Sequence, residues 1–416
     1  MEVTARHSQV TGEIPDDWYI CSLEECVRRD SPICYGILMP GQHCSGGVPV
    51  IKVKDVMAGR ISEADLLLTH PTIDAAYKRS RLAVGDVLIT IRGTTGRVAL
   101  VPSSLTGANI TQDTARVRVG PSVSQDFLYH ALQASSAQHQ ISLHTIGQAV
   151  KGINIRDVKR VAVPFPTSLS EQLAITTALN DVDALLAGLD RLIGKKRDLK
   201  HAAMQQILTG QTRLPGFRGE WEVKRLGDLG IFLKGRGVKK DEAKSGDLPC
   251  VRYGEIYTHH TDYIRSFNSW ISPEVAATAT RLKLGDLLFA GSGETKEEIG
   301  KCVAFTYDCD AFAGGDIVIL RLAGVQPMFM GYYCNTAPVN AQKASKGQGD
   351  AVVHISAAAL SSIEVPLPSY AEQTAIGTVL SDMDAELSAL EARRNKTRDL
   401  KQAMMQELFT GRTRLL

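Results

Sequence analysis

Residues 171–214 read EQLAITTALNDVDALLAGLDRLIGKKRDLKHAAMQQILTGQTRL, and residues 372–415 read EQTAIGTVLSDMDAELSALEARRNKTRDLKQAMMQELFTGRTRL. The two stretches align without a gap at an offset of 201, and 24 of the 44 positions are identical. A stretch of this length written twice is an internal repeat, and it constrains architecture before any single motif does. Apolar residues recur at alternating spacings of four and three. In the first copy they are Ile175, Leu179, Val182, Leu186, Leu189 and Ile193; in the second they are Ile376, Leu380, Met383, Leu387 and Leu390. That rhythm is the seam of a coiled coil. Ser168 and Ser369 stand at capping-box spacing before Glu171 and Glu372, and Gly210 and Gly411 stand where a helix would end. Each copy is therefore expected to be one long helical arm, about 60 Å at 1.5 Å per residue. Gly188, Gly194 and Gly377 are weak points within them. Two such arms in one chain can pair with each other, and an antiparallel coiled coil is expected. A second stripe on the first arm, Leu185, Leu192 and Leu199, leaves apolar surface either for another protein or for the arm's own globular part.

Outward from the arms, the preceding segments match only in landmarks. Trp18 and Leu23 correspond to Trp221 and Leu226. Pro49-Val50-Ile51-Lys52 corresponds to Pro249-Cys250-Val251-Arg252, and Gly85-Asp86 to Gly285-Asp286. Val163, Pro164 and Pro166 correspond to Val365, Pro366 and Pro368. Between these landmarks the halves differ widely. The chain thus divides into a globular part at 1–166, an arm at 167–214, a second globular part at 215–368 and a second arm at 369–416, with a pseudo-two-fold repeat. Two similar arms imply one shared task, and two unlike globular parts imply a separate task for each. Restricted register in long helices, with free drift in loops, would give the same pattern. Strands are expected at Val48–Val53, Val87–Ile91, Val98–Val101 and Ala115–Val119, and again at Leu287–Ala290, Val303–Phe305 and Ile317–Leu322. Short helices are expected at Gln125–Ser135 and Met328–Asn335. The fold class is mixed, α/β (α+β), with strand-rich globular parts.

Composition sets the outer bounds. Hydrophobic residues are 44% of the 416 and charged residues 22%, so the chain can bury cores and is not disordered by composition. The formal net charge of +2 means that any basic surface must be local. The start, Met1 to His7, carries no apolar stretch behind a basic end, and no run approaches a membrane span. The eight cysteines, Cys21, Cys26, Cys34, Cys44, Cys250, Cys302, Cys309 and Cys334, form no C-x-x-C pair or zinc spacing. They are expected to be free thiols in a reducing cytoplasm.

Two polar segments in each globular part carry side-chain types that can bond nucleic acid. After each Gly-Asp landmark, a strand runs into a small polar turn. The first turn holds Arg92, Thr94, Thr95 and Arg97, and the second Ser292, Thr295 and Lys296. Arginine and lysine bond phosphates or guanine edges, threonine bonds either, and glycine lets backbone approach closely. An ordinary surface turn has the same composition. Further on, Gln148 and Lys151 in the segment Thr145–Asn154 correspond to Lys343, Lys346 and Gln348 in Lys343–Asp350. Glutamine reads adenine edges and lysine neutralises phosphates. Lys234 and Arg236, with Lys239 and Lys240, add a basic stretch that a solvated surface explains as well. No catalytic set is present: no phosphate loop, no zinc-protease motif, no nucleophile turn and no methyltransferase or nuclease core. The histidines are scattered.

This plan resembles the specificity subunits of type I restriction-modification systems. The residues that carry the resemblance are Trp18…Leu23 and Trp221…Leu226, Gly85-Asp86 and Gly285-Asp286, and Pro166…Glu171-Gln172 and Pro368…Glu372-Gln373. To these add Leu208-Thr209-Gly210…Thr212-Arg213-Leu214 and Phe409-Thr410-Gly411…Thr413-Arg414-Leu415. The likeness covers nearly the whole chain. It implies a non-catalytic cytoplasmic DNA-binding subunit with two target-recognition domains, each reading one half of a split target in double-stranded DNA. The arms would set the spacer and dock two methyltransferase subunits, joined by two motor-nuclease subunits where the system restricts. No cofactor is expected on this chain; S-adenosylmethionine, ATP and Mg are expected on the partners. A duplicated coiled-coil scaffold that never reads DNA is the alternative.

Overall fold

In the computed structural model, which describes residues 14–57, 59–148, 150–349 and 352–415, the two repeated stretches are helices of 39 residues each, Leu169–Ile207 and Tyr370–Leu408. Met1–His7, Ala149 and Asp350, on which parts of the sequence reading rest, lie outside the described residues. The chain separates into two compact units. One comprises the chain up to Asp190 together with the chain from Ala392 onward, and the other comprises Arg191–Glu391. Each boundary falls inside a long helix, so each unit holds one globular part, the first half of its own arm and the last half of the other. Ion pairs within each unit fix the direction. Lys401 bonds Asp183 at 2.6 Å in the first, and Lys200 bonds Asp384 at 2.8 Å and Lys196 bonds Glu386 at 2.8 Å in the second. Residue numbers rise along one helix as they fall along the other, which makes the pair antiparallel.

The helix ends follow the sequence signals, with one change. The Glu171 and Glu372 backbone N–H groups donate to Ser168 and Ser369 Oγ at 3.4 Å, and Gly210 and Gly411 end the arms at φ +71° and +69°. The two glutamate carboxylates, however, turn to arginines. Arg213 grips Glu372 in a bidentate pair at 2.6 and 2.5 Å. Arg414 grips Glu171 in the same way and also reaches Asp17 at 2.9 and 2.7 Å. The bond from Arg414 holds Asp17 below the usual carboxylate range. Each arginine also lies over the landmark tryptophan of its unit: Arg414 is 5.8 Å from the Trp18 ring centroid and Arg213 is 5.7 Å from that of Trp221.

The neighbouring glutamines complete each joint. Gln172 accepts from the Ser124 N–H at 2.8 Å and donates to the Pro166 carbonyl at 3.0 Å; Gln373 accepts from the Gln326 N–H at 3.0 Å and donates to Pro368 at 2.8 Å. These side chains satisfy buried backbone groups where a loop meets a helix start. The Glu-Gln, Trp and terminal Arg landmarks are therefore the fastening of arm to globular part.

Each globular part closes on itself before its arm begins. Trp18–Ser22 pairs antiparallel with Ala162–Pro166, and Glu222–Arg225 with Glu364–Leu367. Inside the first lie a four-stranded sheet, ordered Cys34–Tyr35, Thr114–Val117, Val87–Thr90, Val98–Leu100, and a three-stranded sheet. The second has two four-stranded sheets, one ordered Gly230–Lys234, Ile317–Leu322, Asp286–Ala290, Cys302–Ala304. The expected short helices form at Gln125–Gln133 and Pro327–Tyr333. At the Gly-Asp landmarks, Gly85 and Gly285 take positive φ, +82° and +93°, in the turn that feeds the central strand. The aspartate behind each is buried and held by two bonds from one arginine, Asp86 by Arg118 at 2.7 and 2.6 Å and Asp286 by Arg321 at 3.0 and 2.9 Å.

The seam divides into two uses. Ile175 and Leu179 join the first globular core around Phe127 and Phe165, together with Met405, Leu408 and Phe409. Ile376 and Leu380 join the second core around Phe289 and Phe329, together with Ile207 and Leu208. Leu189, Ile193 and Leu387 are buried, while Val182, Leu186, Met383 and Leu390 are half-buried. Among the described residues no helix is long and apolar enough to cross a membrane. One thiol expectation is corrected: Cys21 and Cys26 are disulfide-bonded, because the strand ending at Ser22 turns directly into the short helix Leu23–Cys26. The other six cysteines are free.

Candidate nucleic-acid interface

The polar turn and the later loop, separate in sequence, lie side by side in each unit. In the first, the strand Val87–Thr90 runs into the turn 92–97, where Gly93 and Gly96 take φ of +74° and +81°. Thr90 Oγ1 braces the turn by accepting from the Arg97 N–H at 2.9 Å. Ile146 and Gly152 close a hairpin through two backbone bonds of 2.8 Å. The hairpin is fastened to the turn by Gly93 N–H to the Lys151 carbonyl and Ile153 N–H to the Ile91 carbonyl, both 2.9 Å.

The second unit repeats the device. Gln348 and His354 close the hairpin with bonds of 2.9 and 2.8 Å, and Ile355 N–H reaches the Gly291 carbonyl at 3.0 Å. Ser292 and Gly293 pair with His354 and Val353. This register corrects the sequence pairing. Gln348 is the equivalent of Ile146, at the hairpin's base, whereas Gln148 stands in its tip. The two glutamines are not counterparts.

The expected contact residues fall into three groups. Arg92, Thr94, Gln148, Lys151, Lys234, Arg236, Thr295, Lys296 and Gln348 are exposed. Thr95, Arg97 and Lys346 are half-buried, and Arg97 Nη1 donates to the Val56 carbonyl at 3.1 Å, so its guanidinium is partly committed. Ser292 is buried, its Oγ 2.9 Å from His354 Nδ1. Lys343 departs from expectation altogether. It is 1% exposed, and its Nζ donates to the Gly300 carbonyl at 2.8 Å and the Cys334 carbonyl at 2.9 Å. Burial pushes its pKa down. It ties a helix to a loop and cannot reach a phosphate.

One cleft in each unit gathers several of the remainder. In the first unit, a cleft of about 670 Å³ is lined by Arg92, Lys151, Gln112 and Asn154 with Leu38 and Val150. In the second, one of about 450 Å³ is lined by Lys234, Lys346, Gln348, His354 and Ser356 with Phe232. Arg236 lies outside it. Gln112, Leu38 and His354 were not among the expected residues because no turn signature marks their positions in the sequence; His354 lies in the short strand Val353–His354. The glycine that opens each hairpin, Gly147 at φ +110° and Gly349 at +111°, was the available signal. A larger cavity of about 1060 Å³ in the second unit lies beside the turn, lined by Tyr253, Tyr257, Glu294, Glu297 and Lys301 with Arg197 of the arm.

The charge arrangement separates frame from surface. The cations of the frame, Arg118, Arg321, Arg213, Arg414, Lys200 and Lys401, all hold carboxylates. Among the described residues the side-chain cations of Arg92, Lys151, Lys234, Lys296 and Lys346 hold none. Cations left to water beside a polar cleft are free to neutralise phosphates. No group of three or more His, Cys, Asp and Glu among the described residues is placed to hold a metal ion.

The family model described as Type I restriction modification DNA specificity domain matches residues 43–193 and 218–397. The specificity subunit of the type I restriction enzyme EcoBI of Escherichia coli is 27% identical over 248 residues, which span 58% of this chain and about half, 51%, of that protein. A putative type I restriction enzyme specificity subunit, MjaX, of Methanocaldococcus jannaschii is 23% identical over 429 residues, 97% of this chain and 95% of that one. Among solved structures, the type I restriction-modification S subunit of M. genitalium superposes with a TM-score of 0.59 at 15% identity, covering 96% of this chain and 97% of that one. A chain from a type I system studied for complex assembly and conformational transition gives 0.56 at 18% identity, covering 96% and 99%.

Proposed function

The chain belongs to the family of type I restriction-modification specificity subunits, and from that premise we propose that it reads a split DNA target, one half with each unit, through the turn and hairpin that each unit builds. The observation that carries this reading is the same frame holding different surfaces. The Trp–Arg–Glu joint, the Asp–Arg pair and the hairpin register repeat in both units, yet most of the exposed side chains on them differ. A shared frame with changed contacts is what reading two different sequences needs. Arg92 and Lys151 in one cleft, and Lys234, Lys346 and Gln348 in the other, supply phosphate contacts and base-edge donors or acceptors.

The arms act as the ruler that fixes the unread spacer and as the dock for two methyltransferase subunits. Two motor-nuclease subunits join where the system restricts. A 39-residue helix spans about 58 Å, more than one 34 Å turn of DNA. The chemistry, with S-adenosylmethionine, ATP and Mg, belongs to the partners, and this chain works in the cytoplasm as their non-catalytic guide.

The test is to co-express the chain with its neighbouring methyltransferase subunit and map methylated adenines across the host genome. A split motif with a fixed spacer is expected. A stable, folded complex that adds no methylation would contradict DNA reading and favour the duplicated scaffold.

A further inference from the structure

The hairpin of the first unit carries an apolar tip that neither fold nor frame explains. Ile146 and Val150 are each 68% exposed. Tight turns favour Gly, Asn, Asp and Ser, and a β-branched valine three residues past a positive-φ glycine is a poor turn former. The hairpin's own needs are met by Gly147, where an added Cβ would lie 2.3 Å from the Val150 carbonyl oxygen. A valine at this tip contributes nothing to the turn and leaves apolar surface in water. The second unit puts Val352 at the equivalent place, 51% exposed, in a run that matches the first, Gly-x-Ala-Val at 147–150 and 349–352, while the flanking residues Ile146 and Gln348, and Lys151 and Val353, differ.

The surroundings indicate what covers the tip. Val150 and Ile146 line the same cleft as Arg92 and Lys151, whose cationic groups hold no carboxylate among the described residues. A protein partner would cover the apolar atoms, but two unpaired cations beside them call for a polyanion. The ligand must therefore offer an apolar group close to negative charge. The major groove of DNA does so at one group, the C5-methyl of thymine, which lies among base-edge acceptors and is flanked by phosphates.

We propose that Val150, with Ile146 beside it, reads a thymine methyl in the half-site of the first unit, while Arg92 and Lys151 hold the phosphates or guanine edges next to it. This inference rests on the reading of the chain as a split-target DNA reader. It adds the base and the atom: the first half-site contains a T·A pair, and its methyl is sensed by van der Waals contact.

The experiment uses the complex of this chain with its methyltransferase subunits and the target found by methylation mapping. The half-site of the first unit is the one that stays unchanged when the second globular part is exchanged. Duplexes are then made with deoxyuridine in place of thymidine, one position at a time. Uracil keeps every hydrogen-bonding group and loses only the methyl. Wild-type affinity is expected to fall about fourfold at one position, the worth of one buried methyl-sized group. The Val150→Ala complex should bind the two duplexes equally well. The Val352→Ala complex should keep the discrimination at this half-site, which controls for nonspecific damage. Unchanged wild-type affinity for every uracil-containing duplex would overturn the proposal, as would a first half-site without T·A pairs or full discrimination by Val150→Ala. In each of those cases a split target would still stand. A methylation map without any split target would instead remove the premise and the proposal together.

Discussion

Arg414 and Arg213 each bind a buried glutamate at the start of the other arm while lying over a tryptophan, so one side chain joins three segments of its unit. Removing the arginine leaves a carboxylate with little access to water and no counter-ion, which costs more than the pair itself is worth. Arg213→Ala should lower the unfolding midpoint of the second unit, and Arg414→Ala that of the first, each leaving the other transition in place. Scanning calorimetry with both single variants checks this. Lys343 makes the opposite kind of case. A phosphate-binding lysine would change the salt dependence of DNA binding when replaced. The structure places Lys343 under two carbonyls, so Lys343→Ala should cost about 3 kcal/mol of stability and leave the salt slope of the surviving complex unchanged. The sequence showed a lysine near a glycine-rich loop. Helical position, with the side chain pointing inward between Gly300 and Cys334, was not legible from charge alone.

Also at this scale, His130 is buried against the first arm with its Nε2 2.8 Å from Asn180 Oδ1. Burial is the main cause that lowers its pKa, with the Lys401 charge adding to it; the Asn180 bond and the Asp183 and Asp126 charges oppose it. The folded state therefore favours the neutral ring, whereas the unfolded chain takes up a proton near the ordinary value of about 6.5. Stability present above that pH is lost as pH falls below it. The first unit should unfold at a lower temperature at pH 5.5 than at pH 7.5, and His130→Gln should flatten that dependence. An unchanged slope in the variant would remove His130 as a cause.

At the scale of elements, the arms were the most legible part of the chain because their signals are local. Heptad spacing, serine caps and terminal glycines lie within one helix, and each has a single physical reading. The seven expected strands were located to within a residue or two because they are short apolar runs, while strands such as Trp18–Ser22 and Gly230–Lys234 were not expected. The partners of the seam were less legible, since a heptad position does not say whether it faces another helix or a sheet. Ile175, Leu179, Ile376 and Leu380 face the globular cores, a long-range outcome. Leu387 is buried and Leu186 half-buried, so Leu387→Asp should destabilise strongly and Leu186→Asp less so, read by thermal unfolding. The outer stripe behaves differently. Leu185, Leu192 and Leu199 are exposed, and at the matching positions of the second arm stand Glu386, Arg393 and Leu400. Leu192→Glu should leave the unfolding midpoint unchanged while lowering the number of methyltransferase subunits bound, measured by light scattering of the purified complex. Normal stoichiometry in that variant would move docking off this stripe.

On the scale of the whole molecule, duplication explains why the frame could be read and the contacts could not. Comparison of the chain with itself marks what both halves keep, and both halves keep the joints: Trp18 and Trp221, Asp86 and Asp286, Glu171 and Glu372, Arg414 and Arg213. Those residues proved to be fasteners. Most of the candidate contact residues lie where the halves differ, with Val150 and Val352 as a shared exposed pair. Chemical type alone had to stand in for register, and it misplaced Gln348 by two positions and put a core lysine on the surface. The duplication also makes the central claim testable in one exchange. Residues 216–368 carry the complete strand pair Glu222–Arg225 with Glu364–Leu367, so they can be replaced as a closed piece by the corresponding segment of another family member. The methylation map of the exchanged complex is the most direct measurement. The account predicts that one half of the split target changes while the other half and the spacer length stay as they were. A change in both halves, or in the spacer, would contradict it.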